Sequence, residues 1–278
     1  MDPSILSDQT YEIFSKQLHE RASQNRMPIS ATVEVTMRCN LHCQHCYIPL
    51  EQRKAKHPDE LSLDEFKRVF SEFADAGTLW LLFTGGEPFL RPDFLDIYAV
   101  AKQFGFIITI FTNGTLINDR IVEYLAEWRP FNIEISLYGS TQQTYEKITG
   151  IPGSYQRCLQ GIEGLLQNGL PLELKAPLMT LNAHELKDMK KMAANLGVGF
   201  HFDPVITAGI NGDLTPTAFR LPPEEIIQYE LNDEHRASTW PEKIASYKDK
   251  NIEGSSMYNC GAGAPAFIWT PLASSPYV

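Results

Sequence analysis

The sequence is short of cysteine, of positive charge and of long apolar runs. It holds five cysteines in 278 residues, and three of them fall within eight positions, which is too uneven for a disulfide framework. It has 24 Lys and Arg residues and 34 Asp and Glu residues, so its net charge is -10. This balance argues against a nucleic-acid partner, which would need a basic stripe. The one short basic run, 53–56, is interpreted as a solvated face.

Two further absences concern membranes and secretion. No stretch of the sequence approaches 18 consecutive apolar residues, so no transmembrane helix is predicted. The segment 1–26 is polar and amphipathic, and it lacks the apolar core of a signal peptide. We therefore expect a cytoplasmic protein with no membrane partner.

Strand and helix patterns alternate from about residue 31 to residue 203. Strands are predicted at 31–36, 79–83, 106–111, 132–137, 172–179 and 198–202. Helices are predicted at 8–26, 62–76, 94–104, 118–128, 154–168 and 183–196, the second of them opened by a Ser62–Glu65 capping box. Such alternation implies parallel strands joined by helical crossovers. An open doubly wound sheet and part of a barrel both remain compatible with this pattern.

The pattern changes after Asp203. Residues 204–223 are rich in Pro, Gly and Thr, a short helix is predicted from Pro222 to about Leu231, and 232–258 is weakly patterned. We therefore divide the chain into three parts: an N-terminal helical segment at 1–27, a core domain at 28–205, and a linker with an extension at 206–278.

Chemically distinctive residues follow four successive predicted strands. The cysteine cluster follows the first, Gly85–Pro88 the second and Asn113 the third, while Ser136 lies at the end of the fourth. The carboxyl ends of parallel strands share one edge, and function is found there in both open sheets and barrels. We therefore expect these four segments to converge on one site.

The cysteine cluster has the spacing C-x3-C-x2-C, formed by Cys39, Cys43 and Cys46. Thiolates are the usual ligands of iron–sulfur clusters, and four of them close a [4Fe-4S] cube. Three cysteines leave one iron without a protein ligand, and an open iron can bind a small molecule. The motif therefore favours a catalytic cluster over simple electron transfer. Cys158 lies inside a predicted helix and is expected in the core.

A zinc site is the alternative interpretation of the same segment. The three cysteines with His42 or His45 would make a Cys3His set. Structural zinc sites usually pair two ligand groups separated by a dozen or more residues, and no second group lies nearby. We therefore favour the cluster and expect both histidines in the loop, facing solvent or standing behind the ligands.

At this point the motifs resemble those of a known family. The three cysteines followed by Tyr47 are similar to the signature of the radical SAM superfamily, and Gly85–Pro88 reads Gly-Gly-Glu-Pro, similar to its second motif. Asn113 in Thr-Asn-Gly and Ser136 in Ser-Leu-Tyr-Gly resemble further cofactor contacts. The resemblance covers about residues 28–205.

This resemblance implies a partial (β/α)6 barrel, with an N-terminal helix and a short irregular C-terminal extension. It implies a [4Fe-4S] cluster whose open iron binds S-adenosylmethionine (SAM). An electron donor such as a flavodoxin or ferredoxin would allow reductive cleavage of SAM to a 5′-deoxyadenosyl radical, which takes a hydrogen atom from the substrate. No protein residue is assigned as a catalytic acid or base.

The second motif and the residue after the cysteines would contact the cofactor. Gly85 and Gly86 allow a close backbone approach, Glu87 would add negative charge or brace the loop, and Pro88 would make the exit rigid. Tyr47 would pack beside the adenine or serve as a core aromatic residue.

Asn113 and Ser136 each have two possible roles, one in cofactor binding and one in local structure. Asn113 would hydrogen-bond the adenosine, or support a turn before Gly114. Ser136 would reach the ribose or the SAM carboxylate, or satisfy nearby backbone groups.

The C-terminal part resembles only the start of a further module. Tyr258–Gly263 is similar to the opening of the SPASM or twitch extension of peptide and protein maturases. Cys260 alone cannot hold a second cluster, so we expect a lone thiol and a truncated or frameshifted extension.

The substrate suggested by this resemblance is a peptide, a protein side chain or a cofactor precursor. Three alternatives stay open: a tetrapyrrole-modifying enzyme of the same superfamily, a protein that binds cluster and SAM without turnover, and a zinc-binding regulatory module.

Overall fold

The computed structural model describes residues 11–25, 27–55, 60–248 and 266–269. Its strands are β1 (Ser30–Glu34), β2 (Trp80–Thr84), β3 (Ile107–Thr112), β4 (Asn132–Ser136), β5 (Leu172–Pro177), β6 (Gly199–Asp203) and β7 (Ala266–Trp269). All pair in parallel in the order β6-β5-β4-β3-β2-β1-β7. Because β6 and β7 are the two edges, the sheet is an open, partial barrel, as predicted.

Helices connect the strands and flank the sheet. They are α1 (Tyr11–Asn25), α2 (Leu50–Lys54), α3 (Leu63–Asp75), α4 (Phe94–Gln103), α5 (Asp119–Glu127), α6 (Gln142–Thr149), α7 (Ser154–Gln167), α8 (Leu186–Leu196), α9 (Pro223–Leu231) and α10 (Glu234–Lys248). The predicted capping box is confirmed, since Ser62 and Glu65 hydrogen-bond each other's backbone N–H at the start of α3. No helix in the described ranges is both long and apolar enough to cross a bilayer.

The six predicted strands are confirmed, with boundaries that differ by two residues or fewer. The predicted helices are confirmed within the same margin wherever the structure describes them, except that α8 begins three residues after the predicted start, because Ala183–Glu185 forms a 3-10 turn. Residues 8–10 and 26 of the first predicted helix lie outside the described residues. Among the labelled helices and strands of the described ranges, four were not predicted: α2, α6, α10 and β7. The extension is therefore less irregular than expected, because α10 is helical and β7 lies beside β1. Cys260 and its neighbours lie outside the described residues.

The core lies between the sheet and its helices. In the central strands every second side chain is buried, as in the pair Leu81 and Phe83 of β2. Phe70 of α3 packs edge-on against Phe83, with ring centroids 6.0 Å apart. Burying such rings is the main favourable term in folding. The alternate residues, among them Thr84 and Ser136, are only partly buried and face the inner side of the sheet, where the candidate site lies.

Glu185, at the start of α8, is hydrogen-bonded to the start of α6. Its carboxylate accepts hydrogen bonds from the backbone N–H of Ser140 at 2.7 Å, from the hydroxyl of Thr141 at 2.7 Å and from the hydroxyl of Thr144. Burial alone would raise the pKa of Glu185, but these donors outweigh it and hold the pKa below its usual value. The ionised carboxylate therefore stabilises the folded state.

We predict that Glu185→Gln lowers the free energy of unfolding at pH 7 by about 1–3 kcal/mol, since an amide cannot accept all of these bonds. The folded pKa is depressed, so this contribution is present above the usual value of 4.5 and is lost as pH falls through the lower folded value. Urea unfolding at several pH values measures this contribution. The difference in free energy of unfolding between Glu185→Gln and wild type should become smaller as the pH falls.

The matched control is Glu163→Gln on the exposed face of α7, which should change the free energy of unfolding by no more than about 0.5 kcal/mol. A gap between Glu185→Gln and wild type that stays constant from pH 7 down to the acid limit of folding would contradict the assignment.

Candidate functional site

A cavity opens at the carboxyl edge of the sheet, and residues from all six leading strands or the loops after them line it. They include Cys46 after β1, Gly85 after β2, Asn113 after β3, Ser136 in β4, Pro177 in β5 and Ile206 after β6. Cys39 and Cys43 lie in the same wall. The expected convergence of four sequence segments on one site is confirmed.

The loop after β1 and the loop after β2 pack backbone against backbone. The N–H of Gly86 donates to the carbonyl of Thr36 at 2.8 Å, and the N–H of Glu87 donates to the carbonyl of Arg38 at 2.8 Å. A Cβ added at Gly85 would lie 2.3 Å from the Thr36 carbonyl oxygen, and one at Gly86 would lie 2.2 Å from that of Arg38. Only glycine permits this approach, so the two glycines place the chain that leads directly into Cys39.

Glu87 braces the site from within the protein. It is fully buried, and its carboxylate accepts hydrogen bonds from the Thr112 hydroxyl and the Asn113 backbone N–H, both at 2.8 Å. Burial raises the pKa of Glu87 to about 7, although these donors act in the opposite direction. Of its two expected roles the contacts support bracing, because the carboxylate ties the β2 loop to the β3 loop. Pro88 is buried and begins a single 3-10 turn, Pro88–Leu90.

The cysteine loop is anchored by further backbone contacts. The N–H of His42 donates to the carbonyl of Thr149 at the end of α6 at 2.8 Å, and the N–H of Cys39 donates to the carbonyl of Arg53 in α2 at 3.1 Å. The N–H of Ile210, after β6, donates to the carbonyl of Tyr47 at 2.9 Å. The loop is therefore fixed by α2, which follows it closely in the chain, and by α6 and the segment after β6, which are distant in the sequence.

All three motif cysteines are free thiols; Cys43 is buried, and Cys39 and Cys46 are partly buried. Burial raises the pKa of Cys39 to about 12, helped by the negative charge of Glu87, and burial raises the pKa values of Cys43 and Cys46 as well. The positive charge of Arg53 acts in the opposite direction on all three. Metal binding requires thiolates, so a bound cluster would have to supply the stabilisation that thiolates lose on burial.

The donor set fits an anionic iron–sulfur group better than a single metal ion. Nε of Arg53 is buried in the cavity wall and has no hydrogen-bond partner among the described residues, as expected beside a group that carries negative charge. A single zinc ion needs its ligands close around one point. Within the described ranges no three His, Cys, Asp or Glu side chains are placed in that way. Cys158 is confirmed as a core residue of α7 and does not line the cavity, so among the described cysteines the three of the motif are the cavity's thiols.

The other predicted contact residues also lie in the cavity wall. The hydroxyl of Tyr47 donates to the buried carboxylate of Glu34, which fixes the ring beside the cavity. Oδ1 of Asn113 accepts from the backbone N–H of Thr115 at 2.9 Å, and its Nδ2 donates to Oδ1 of Asn40 at 3.0 Å. Asn113 thus supports its own turn and also holds the cysteine loop.

Ser136 is partly buried at the end of β4 and lines the cavity. Its position fits the expected contact with a ribose or a carboxylate.

One residue differs from the sequence-based expectation, and the structure defines the position of a second more closely than the sequence did. Arg53 does not belong to a solvated face: it is 6% exposed, on the inner side of α2, while Lys54 beside it is exposed. His45 lies in the cavity wall with its ring 5.5 Å from that of Tyr138. Burial lowers the pKa of His45 to about 4, so the imidazole is neutral. The inward placement of Arg53 has no signal in the sequence, because α2 is only five residues long, and His45 lies in a loop with no periodic pattern.

An open parallel α/β barrel with a cysteine-lined cavity at the carboxyl edge of its strands defines a class of cofactor-binding proteins. Residues 33–193 match the family model of the radical SAM superfamily. The chain belongs to the radical SAM superfamily, and the predicted membership is confirmed. This family implies SAM and an iron–sulfur cluster as cofactors.

Relatives and solved structures carry the same core. The chain is 31% identical over 206 residues to the AdoMet-dependent heme synthase of Methanosarcina barkeri, which covers 73% of this chain and 58% of the relative. It is 28% identical over 257 residues to the subtilosin biosynthesis protein AlbA of Bacillus subtilis, covering 90% of this chain and 54% of the relative. The chain thus spans little more than half the length of these relatives.

Among solved structures, SuiB of Streptococcus suis bound to its precursor peptide SuiA superposes with a TM-score of 0.68. The sequences are 16% identical, and the superposition covers 95% of this chain and 64% of SuiB. This likeness shows a shared fold.

We predict that Gly86→Ala lowers the free energy of unfolding by about 1–3 kcal/mol or more, which is the usual cost of overpacking. The added Cβ would overlap the Arg38 carbonyl and force the two loops apart. Urea unfolding measures this. Gly164→Ala in α7 is the control: its Cβ would meet Val122 at an ordinary 3.5 Å, and alanine is the better helix former. Equal stability of Gly86→Ala and wild type would contradict the packing argument.

Proposed function

We propose that this chain holds a [4Fe-4S] cluster through Cys39, Cys43 and Cys46, binds SAM in the adjoining cavity and cleaves it reductively. The observation that carries the proposal is the convergence of the three thiols with Gly85 and Gly86 on one cavity wall. The three cysteines leave one coordination position of a cube without a protein ligand. When bound, the cluster supplies the electron that breaks the C5′–S bond of SAM, which yields a 5′-deoxyadenosyl radical.

The chain's own residues position the cofactors and exclude water. Gly85 and Gly86 present bare backbone to the cavity, and Glu87 holds their loop against the loop of Asn113. The proposed SAM contacts are the glycine backbone, the ring of Tyr47 and the polar side chains of Asn113 and Ser136. An external one-electron donor such as a flavodoxin or ferredoxin is the protein partner that this chemistry requires.

The proposed substrate is a peptide or a protein side chain. The supporting observation is coverage: the alignment with the peptide-maturation protein AlbA extends over 90% of this chain, whereas the alignment with the heme synthase extends over 73%. The fold shared with SuiB, a protein that binds a precursor peptide, points in the same direction. A tetrapyrrole substrate remains the second candidate, because the heme synthase is the more identical of the two relatives.

We also propose the division of the chain into 1–27, 28–205 and 206–278. The family match at 33–193 falls inside the proposed core. The strand β7 joins the core sheet from the third part, so the extension packs on the core along at least one edge.

We predict that Cys39→Ala, Cys43→Ala and Cys46→Ala each abolish the cluster, because two remaining thiolates cannot hold the cube. After anaerobic reconstitution, iron content per chain should fall to background. The wild type should show a reduced-cluster EPR signal that SAM alters, and should form 5′-deoxyadenosine with dithionite.

Cys158→Ala is the matched control, since this thiol is buried in α7 away from the cavity. It should retain iron in full. A triple variant of the motif cysteines that kept a full complement of iron would overturn the proposal, and so would a wild-type signal indifferent to SAM.

The substrate class is tested by stimulation of SAM cleavage. We predict that synthetic peptides encoded by short reading frames beside the gene raise the rate of 5′-deoxyadenosine formation by about tenfold or more, because substrate binding closes and dries the cavity. Iron coproporphyrin III is the comparison ligand. Stimulation by the tetrapyrrole with none by peptides would exclude the proposed substrate and favour the second candidate.

A further inference from the structure

Arg53 is a buried cation that stands behind the three motif cysteines. Its side chain lines the same cavity as their thiols, and the residue is only 6% exposed. Nη1 donates to the backbone carbonyls of Leu41 at 3.4 Å and Cys43 at 3.3 Å, both within the cysteine loop. Nε is buried without a hydrogen-bond partner, and no ion pair links Arg53 to another described residue. Among the described residues, the guanidinium therefore has no negatively charged partner.

A comparison within the same protein shows how unusual this is. Arg91 is equally buried, but it forms an ion pair with Asp93 at 2.8 Å and donates to the carbonyls of Val35 at 2.9 Å and Leu61 at 2.6 Å. A buried charge is normally paired in this way, because leaving it alone in a low dielectric is costly. The environment of Arg53 lacks a counter-charge of the kind that Arg91 has among the described residues.

The carboxyl groups near the cysteines would not compensate a negative cluster. Glu87 is buried and binds the backbone N–H of Asn113, whose Nδ2 lies 3.9 Å from Sγ of Cys39. Glu34 is buried against the hydroxyl of Tyr47, the residue after Cys46. Among the described residues that line the cavity with the three thiols, Arg53 is the cationic side chain, so without it a cluster with three thiolate ligands would have no positively charged side chain in the cavity wall.

We propose that Arg53 is the charge-compensating residue of the cluster site: its guanidinium offsets the negative charge of the thiolate-bound cluster and so makes the one-electron reduction of the cluster easier. This inference rests on the proposed function. The step is a single electron transfer from an external donor, in which no bond forms or breaks and the total charge of the cluster site falls by one. Arg53 stays protonated throughout, because its pKa is far above neutrality. A nearby positive charge stabilises the reduced state more than the oxidised state.

The test is an EPR-monitored redox titration of anaerobically reconstituted protein. Arg53→Gln removes the charge and keeps a polar side chain, whereas Arg53→Lys keeps the charge and loses the planar fork. At the wild-type midpoint potential we expect the ratio of reduced to oxidised cluster in Arg53→Gln to fall about tenfold, which corresponds to a midpoint more negative by about 59 mV for one electron. Arg53→Lys should stay within about threefold of wild type.

Lys54→Gln is the matched control, because it removes the same charge one position away on the exposed side of α2. Its ratio of reduced to oxidised cluster at the wild-type midpoint potential should equal that of wild type. If Arg53→Gln binds too little iron to titrate while Arg53→Lys binds it normally, cluster retention follows the charge and the inference is supported. Equal effects of the two Arg53 substitutions on potential or iron content would overturn it and assign Arg53 to loop support alone.

The two proposals fail in different ways. A wild-type protein that takes up no cluster would overturn the proposed function and this inference together. A cluster-loaded wild type whose midpoint is matched by Arg53→Gln would overturn the inference and leave the proposed function standing.

Discussion

The site depends on one close contact, the backbone of Gly85 and Gly86 against the carbonyls of Thr36 and Arg38. This contact extends the pairing of β1 with β2 past the ends of both strands, and it leaves no room for a Cβ on either glycine. From Arg38 the chain continues directly into Cys39. The rest of the site is built outward from this point. Glu87 fixes the next loop through Asn113, and Asn113 returns to the cysteine loop through Asn40. Three loops from three strands are thus interlocked by backbone and short polar side chains.

The same arrangement sets the electrostatics of the cavity. Burial by the interlocked loops raises the pKa values of the motif thiols, and the cation of Arg53 has no described counter-ion. At partly buried positions each charge matters more than it would in water. A group whose iron ions bind the thiols as thiolates, and whose total charge is negative, would satisfy the thiols and the guanidinium together. This is the physical reason that an iron–sulfur cluster fits the site.

The open sheet explains where a substrate would have room. A closed eight-stranded barrel fills its interior with layers of branched apolar side chains. Here the inner face instead carries polar residues: His201 lies 3.1 Å from Glu173, and Lys175 lies over the ring of Phe111 at 4.8 Å. A face of this composition does not have to be buried against the protein itself. Relatives named for heme synthesis and for subtilosin biosynthesis both align with this core.

The sequence by itself determined the six-stranded α/β alternation, the capping box at Ser62 and the grouping of Cys39, Gly85, Asn113 and Ser136 at one edge. It could do so because strand periodicity and parallel connectivity are local rules that carry strand ends to the same place. Short elements escaped prediction: α2 has five residues, and β7 has four and is held by pairing with β1. Only the tertiary structure decided that Arg53 and His45 face the cavity, because their burial depends on segments distant in the chain. It also added a second reason for the glycines, the contact of two loops, which no periodicity encodes.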